Sequence, residues 1–111
     1  PHDMRQTFRN QPLLPGMITS DEPGIYREGL HGVRHENLLL VTKAGSNDFG
    51  EWYSFETLTL CHFDTSPIVK DLLDQREIDW LNAYNAEVYG TLSPRLPEAV
   101  ALWLKEKTGP I

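Results

Sequence analysis

A chain of 111 residues, 40% apolar and 23% charged, has room for one compact domain and the composition of a globular protein. Its 16 acidic against 10 basic residues leave a formal charge of −6, the wrong sign for nucleic acid or an anionic membrane as the main partner. No apolar run approaches the roughly 20 residues of a membrane span, and the single cysteine, Cys61, excludes an internal disulfide and suits a reducing cytoplasm.

From Pro1 to Gly16, four residues (Pro1, Pro12, Pro15 and Gly16) punctuate a polar stretch and predict a loop, because proline lacks an N–H and fixes φ. This opening has no start methionine and reads as the interior of a longer protein. Met17 to Ser20 suit a strand running into the turn signal Glu22-Pro23-Gly24. Tyr26 to Gly32 read as a connection. Val33 to Thr42 predict a strand whose apolar run, Leu38 to Val41, calls for burial. Ala44 to Gly50 predict a polar loop. Trp52 to Cys61 predict a further strand, with Phe55, Thr57, Thr59 and Cys61 on one face and Leu58 and Leu60 on the other. Cys61, with no activating base nearby, reads as a buried, inert thiol.

The grammar then changes. Asp74-Gln75-Arg76-Glu77 has the spacing of a capping box, in which each side chain satisfies an orphan helix donor. Ile78, Leu81, Tyr84 and Val88 recur at helical spacing to about Tyr89, and Gly90 marks the end. Pro97 suits the first position of a last helix, with Glu98 in its first turn. Val100, Trp103, Leu104 and Lys107 share one face of it, and Gly109-Pro110 stop it. The fold class is α+β: antiparallel strands followed by two C-terminal helices. Two late helices are little cover for the strands, which predicts a missing partner segment and self-association through an unpaired edge.

The four histidines, His2, His31, His35 and His62, show no zinc spacing, and no phosphate loop or nucleophile elbow is present. What remains is two carboxylates near strand ends. Glu22 precedes Pro23-Gly24, and Glu36 stands just ahead of the apolar run. A carboxylate there is costly to bury unless it is paired or metal-bound. Arg34, two residues from Glu36 on the same strand face, supplies the simpler alternative of an ion pair.

Gly16-Met17-Ile18-Thr19-Ser20-Asp21-Glu22-Pro23-Gly24-Ile25-Tyr26, followed by Gly32-Val33-Arg34-His35-Glu36-Asn37, resembles the C-terminal half of the Xaa-Pro aminopeptidases. Phe55 to Leu60 resemble the family's closing strand. Ile78 to Tyr84, Leu92-Ser93-Pro94 and Trp103 to Ile111 resemble the C-terminal extension of its longer, cytosolic-type members. The resemblance implies the C-terminal half of a pita-bread fold, with residues 1–63 in the catalytic domain and 64–111 as a helical extension for packing or dimerisation. It implies two divalent metal ions, usually manganese. Glu22 matches a glutamate ligand of one metal and Glu36 the carboxylate bridging both, while Arg34 and Tyr26 match supporting residues of the site. The substrates implied are peptides with proline in second position. The family's two aspartates and its histidine ligand are not in these 111 residues, so the chain alone is expected to be inactive and to bind manganese weakly. His35 replaces an aliphatic residue and His62 a proline; both are expected to be structural or solvent-facing, as are His2 and His31. Trp80, Leu81, Tyr84 and Trp103 are expected in a core or interface. The rival reading is a stand-alone binding or dimerisation module in which Glu22 and Glu36 are leftovers.

Overall fold

The computed structural model describes residues 12–111; the expectations for Pro1 to Gln11, His2 among them, lie outside the described residues. The chain forms two compact units, one ending at Thr59 and the other spanning Leu60–Ile111. The sequence placed the division after residue 63. Leu60 and Phe63, however, pack against the helical core and go with the second unit.

The first unit is built from five antiparallel strands: β1 (Ile18–Asp21), β2 (Gly24–Arg27), β3 (His31–Arg34), β4 (Asn37–Asn47) and β5 (Gly50–Thr57). They form a three-stranded sheet in the order β1-β4-β5 and a two-stranded sheet of β2 and β3. The registers show how the two are related. Ile18 faces Leu40 and Asp21 faces Asn37; Gly24 faces Arg34 and Arg27 faces His31. One unbroken register therefore runs through both pairs, and they are a single long hairpin with an interruption at Glu22-Pro23 and His35-Glu36. Proline has no N–H to give to a ladder, so pairing lapses at Pro23. Only its carbonyl still takes part, accepting from His35 N at 3.3 Å. At the far end the chain reverses through a tight turn closed by Leu30 N to Arg27 O at 3.0 Å, with Gly29 at φ +70°, a region open to glycine at little cost.

The predicted polar loop at Ala44 is strand as far as Asn47, carried past an irregularity between Lys43 and Gly45, and β5 ends at Thr57 instead of Cys61. The apolar run is less buried than its composition implies. Val41 is 2% exposed, but Leu38 remains 45% exposed, as do large parts of Ile18, Phe49, Trp52 and Phe55. Cys61 is exposed, contrary to its reading as a buried thiol: β5 has already ended, so the alternation that was to turn it inward does not reach it.

In the second unit, helix α1 (Gln75–Leu92) and helix α2 (Glu98–Lys107) follow one another. The capping box is present: Asp74 Oδ1 accepts from Glu77 N at 2.9 Å, and Glu77 Oε2 accepts from Asp74 N at 2.8 Å. The helix runs through Gly90 to Leu92, because Val88, Tyr89 and Leu92 pack on the core on either side of it and outweigh the roughly 1 kcal/mol that a helical glycine costs. Pro97 caps α2, one residue before its first turn. Tyr84, Val88 and Leu104 form the core, with Leu60, Phe63, Leu92 and Leu96 against it. Of the apolar face predicted for α2, Leu104 is buried, whereas Val100 and Trp103 stay half exposed. Polar side chains of α1 serve the extended segments beside it. Tyr84 Oη donates to Cys61 O at 2.9 Å, and Asn85 Oδ1 and Asn82 Oδ1 accept from Phe63 N and Ile111 N at 3.3 and 2.9 Å. These bonds satisfy backbone groups that have no ladder to join.

The Asp74 cap carries a pH dependence. Its carboxyl is held below the usual aspartate range, first by the Arg76 guanidinium, 2.9 Å from Oδ2, and then by the Glu77 backbone N–H. A lowered pKa means that the cap stabilises fully above the ordinary aspartate value of about 3.9 and is lost as pH falls through the lowered one. Circular dichroism is expected to show helix content falling with acid in this range more in the parent than in Asp74→Asn, which keeps the acceptor without the charge. Asp74→Ala is expected to melt several degrees lower at neutral pH. Identical acid profiles for parent and Asp74→Asn count against the charged cap.

Candidate metal centre

The break in the hairpin decides the geometry of the site. Beyond the last β1–β4 pair, Asp21 with Asn37, the next positions on the two strands are Glu22 and Glu36. Residues opposite one another in an antiparallel ladder share a face, and successive residues alternate. Ser20, Glu22, Glu36 and Leu38 therefore lie on one side, together with Arg34 from the start of the β2–β3 segment. They line a cleft of about 390 Å³ with Ile18 and Thr19.

Arg34 stands between the two acids. Its Nη1 is 3.7 Å from Glu22 Oε2 and its Nε is 3.8 Å from Glu36 Oε2. Both distances exceed a hydrogen bond, so the guanidinium acts here by charge. Glu22 Oε1 accepts from Ser20 Oγ at 2.7 Å. Glu22 is the more enclosed, its side chain 20% exposed against 45% for Glu36 and Arg34. Without a cation, two carboxylates converging on one cleft repel each other; Arg34 offsets part of that charge.

Tyr26 is on the same face of the hairpin but does not line the cleft. Its ring lies along the ribbon over two glycines: a Cβ on Gly24 would come 2.5 Å from its hydroxyl oxygen, and one on Gly32 would come 2.8 Å from Cδ1. These glycines let the ring lie flat, pointing back toward the break. His31 and His35 are exposed and also stand apart from the cleft. His62, in the other unit, meets Trp103 edge-on at 5.2 Å. Trp80 stacks on Tyr84 at 5.4 Å, with its own outer face half exposed.

The donor chemistry of the cleft suits hard divalent cations, which take carboxylate oxygens. The set is incomplete. Among the described residues no three His, Cys, Asp or Glu side chains come together around one point. Glu22 and Glu36 can thus form part of a metal site but not all of it. Sequence reasoning missed Ser20, although the same strand alternation that paired Arg34 with Glu36 places Ser20 beside Glu22.

Comparison with known proteins gives this arrangement its family. Residues 1–43 match the model of metallopeptidase family M24, and residues 51–111 match that of the C-terminal region of peptidase M24. An uncharacterised peptidase of Schizosaccharomyces pombe is 41% identical over 96% of this chain and 18% of its own length. Aminopeptidase P1 of Lotus japonicus is 38% identical over 100% of this chain and 18% of its own. The X-prolyl aminopeptidase of Caenorhabditis elegans, described as a cytosolic enzyme with a di-nuclear active site, superimposes with a TM-score of 0.77 at 33% identity, covering 89% of this chain and 17% of that one. The antiparallel strands and two helices are the C-terminal part of a pita-bread fold. The chain belongs to the M24 metallopeptidases, and it spans less than a fifth of the length of these relatives.

Proposed function

We propose that this chain is the C-terminal part of a dinuclear-metal aminopeptidase that removes the N-terminal residue from peptides with proline in second position. The observation that carries the reading is the convergence of Glu22 and Glu36 on one cleft at the break in the hairpin. Glu22 and Glu36 are the metal ligands within this chain, and manganese is the metal we assign. When bound, two such cations act as Lewis acids and lower the pKa of water, making a nucleophile available near neutral pH. The chain's own part is to hold two carboxylates in place, offset their repulsion with Arg34, and support the face with Tyr26. The bond attacked is a tertiary amide without an N–H, which explains why a dedicated enzyme handles it. We place the protein in the cytoplasm, in keeping with the worm enzyme; no helix among the described residues is long and apolar enough to cross a membrane.

Each cation requires about four to six ligands, and two glutamates leave most positions unfilled. The 111-residue chain alone is therefore expected to release no residue from an Xaa-Pro peptide in the presence of manganese. The longer protein is expected to cleave it and to lose that activity on chelation. Ordinary turnover by the short chain, or none by the longer protein, overturns the reading.

The exposed Ile18, Leu38, Phe49, Trp52 and Phe55 support a second proposal, that the isolated chain self-associates. Sedimentation velocity in dilute solution is expected to show species larger than a monomer; a lone monomer counts against it.

A further inference from the structure

We infer that Ser20 is a positioning residue of this site, its hydroxyl setting which way the Glu22 carboxylate faces. The inference rests on the reading of Glu22 as a metal ligand. Ser20 Oγ lies 2.7 Å from Glu22 Oε1, the length of a charge-assisted O–H···O⁻ bond. The last torsion of a glutamate is broad, so a carboxylate without a directional partner turns easily. Arg34 does not supply that direction, because at 3.7 Å it attracts Oε2 without hydrogen-bonding to it. The serine hydroxyl does: it donates to Oε1 at 2.7 Å, while Oε2 is the oxygen 3.7 Å from Arg34 Nη1. Ser20 is itself fixed, since its backbone is paired opposite Leu38 in the β1–β4 ladder. The neighbouring hydroxyl, Thr19 Oγ1, lies 3.4 Å from the Ser20 carbonyl oxygen.

Partners that orient a metal ligand in this way are typically worth roughly 10–100-fold in metal affinity. The test compares Ser20→Thr with Ser20→Val, two side chains of one shape that differ in the hydroxyl, in the longer protein that carries this chain. Manganese affinity is read from the paramagnetic resonance of the free ion, with circular dichroism as a check on folding. Ser20→Val is expected to bind manganese roughly 10–100-fold more weakly and Ser20→Thr close to the parent. Equal affinities for the two variants overturn the inference. If Ser20→Val does not fold, Ser20→Ala takes its place, and parent-like affinity in that variant overturns the inference equally. Glu22→Gln separates the two levels. If it keeps the parent's affinity, the reading of Glu22 as a ligand fails; if it loses affinity while Ser20→Val binds like Ser20→Thr, only the role of Ser20 fails.

Discussion

Manganese added to the 111-residue chain is expected to bind weakly, and that binding is expected to disappear when Glu22 and Glu36 are both replaced by glutamine. The substitutions keep shape and remove charge. Each glutamine retains a carbonyl oxygen, so Ser20 Oγ keeps an acceptor at position 22. Arg34 loses both ionic partners, but its side chain is 45% exposed and remains solvated, and exposed pairs of this kind contribute only about 0–1 kcal/mol. The hairpin is held by its ladder, which runs on both sides of the break without either carboxylate. A fold left intact with the cation response gone therefore isolates the chemistry of the two acids. Calorimetric titration of parent and double variant makes the comparison. Coincident curves would mean that Glu22 and Glu36 form no part of a cation site in this chain.

What the sequence made legible was local. The capping box at Asp74 and Glu77 needs only residues three apart, and it forms as read. The pairing of Arg34 with Glu36 follows from strand alternation, and it too is present. The hairpin register that sets Glu22 opposite Glu36 was out of reach, because it depends on a turn at Gly29 and on an uninterrupted count across Pro23. Neither property belongs to any single residue. Burial of the run Leu38 to Val41 held at Val41 and failed at Leu38: an apolar run states what a strand requires, whereas exposure depends on what covers it, and around Leu38 the described residues supply little. Cys61 failed with the end of its strand, once Leu60 and Phe63 were drawn to the helical core. Gly90 reads locally as a stop. It is overridden because the apolar contacts of Val88, Tyr89 and Leu92 continue past it, an instance of packing outweighing propensity.

Replacing Leu104 by alanine is expected to destabilise the second unit strongly. Leu104 is 4% exposed and meets Tyr84 and Val88 at the centre of the core, so α2 is held to α1 largely through this side chain. Truncating a buried leucine to alanine typically costs about 2–5 kcal/mol, from lost transfer energy and the cavity left behind. A whole domain has only about 5–15 kcal/mol in reserve, and small ones tend to the lower end. The loss therefore takes a large share of what this unit has. The Thr108 hydroxyl donates to the backbone carbonyl of residue 104 at 2.7 Å, an acceptor that alanine keeps, so the loss is one of packing alone. Chemical denaturation followed by helical circular dichroism is expected to shift to a much lower midpoint, with Trp80 and Trp103 fluorescence changing in step. Leu102 provides the control. It lies on the same helix, 62% exposed, and Leu102→Ala is expected to stay within about 0.5 kcal/mol of the parent. If the two substitutions shift the midpoint equally, Leu104 does not hold the core, and the packing of α2 on α1 has to be sought elsewhere along the helices.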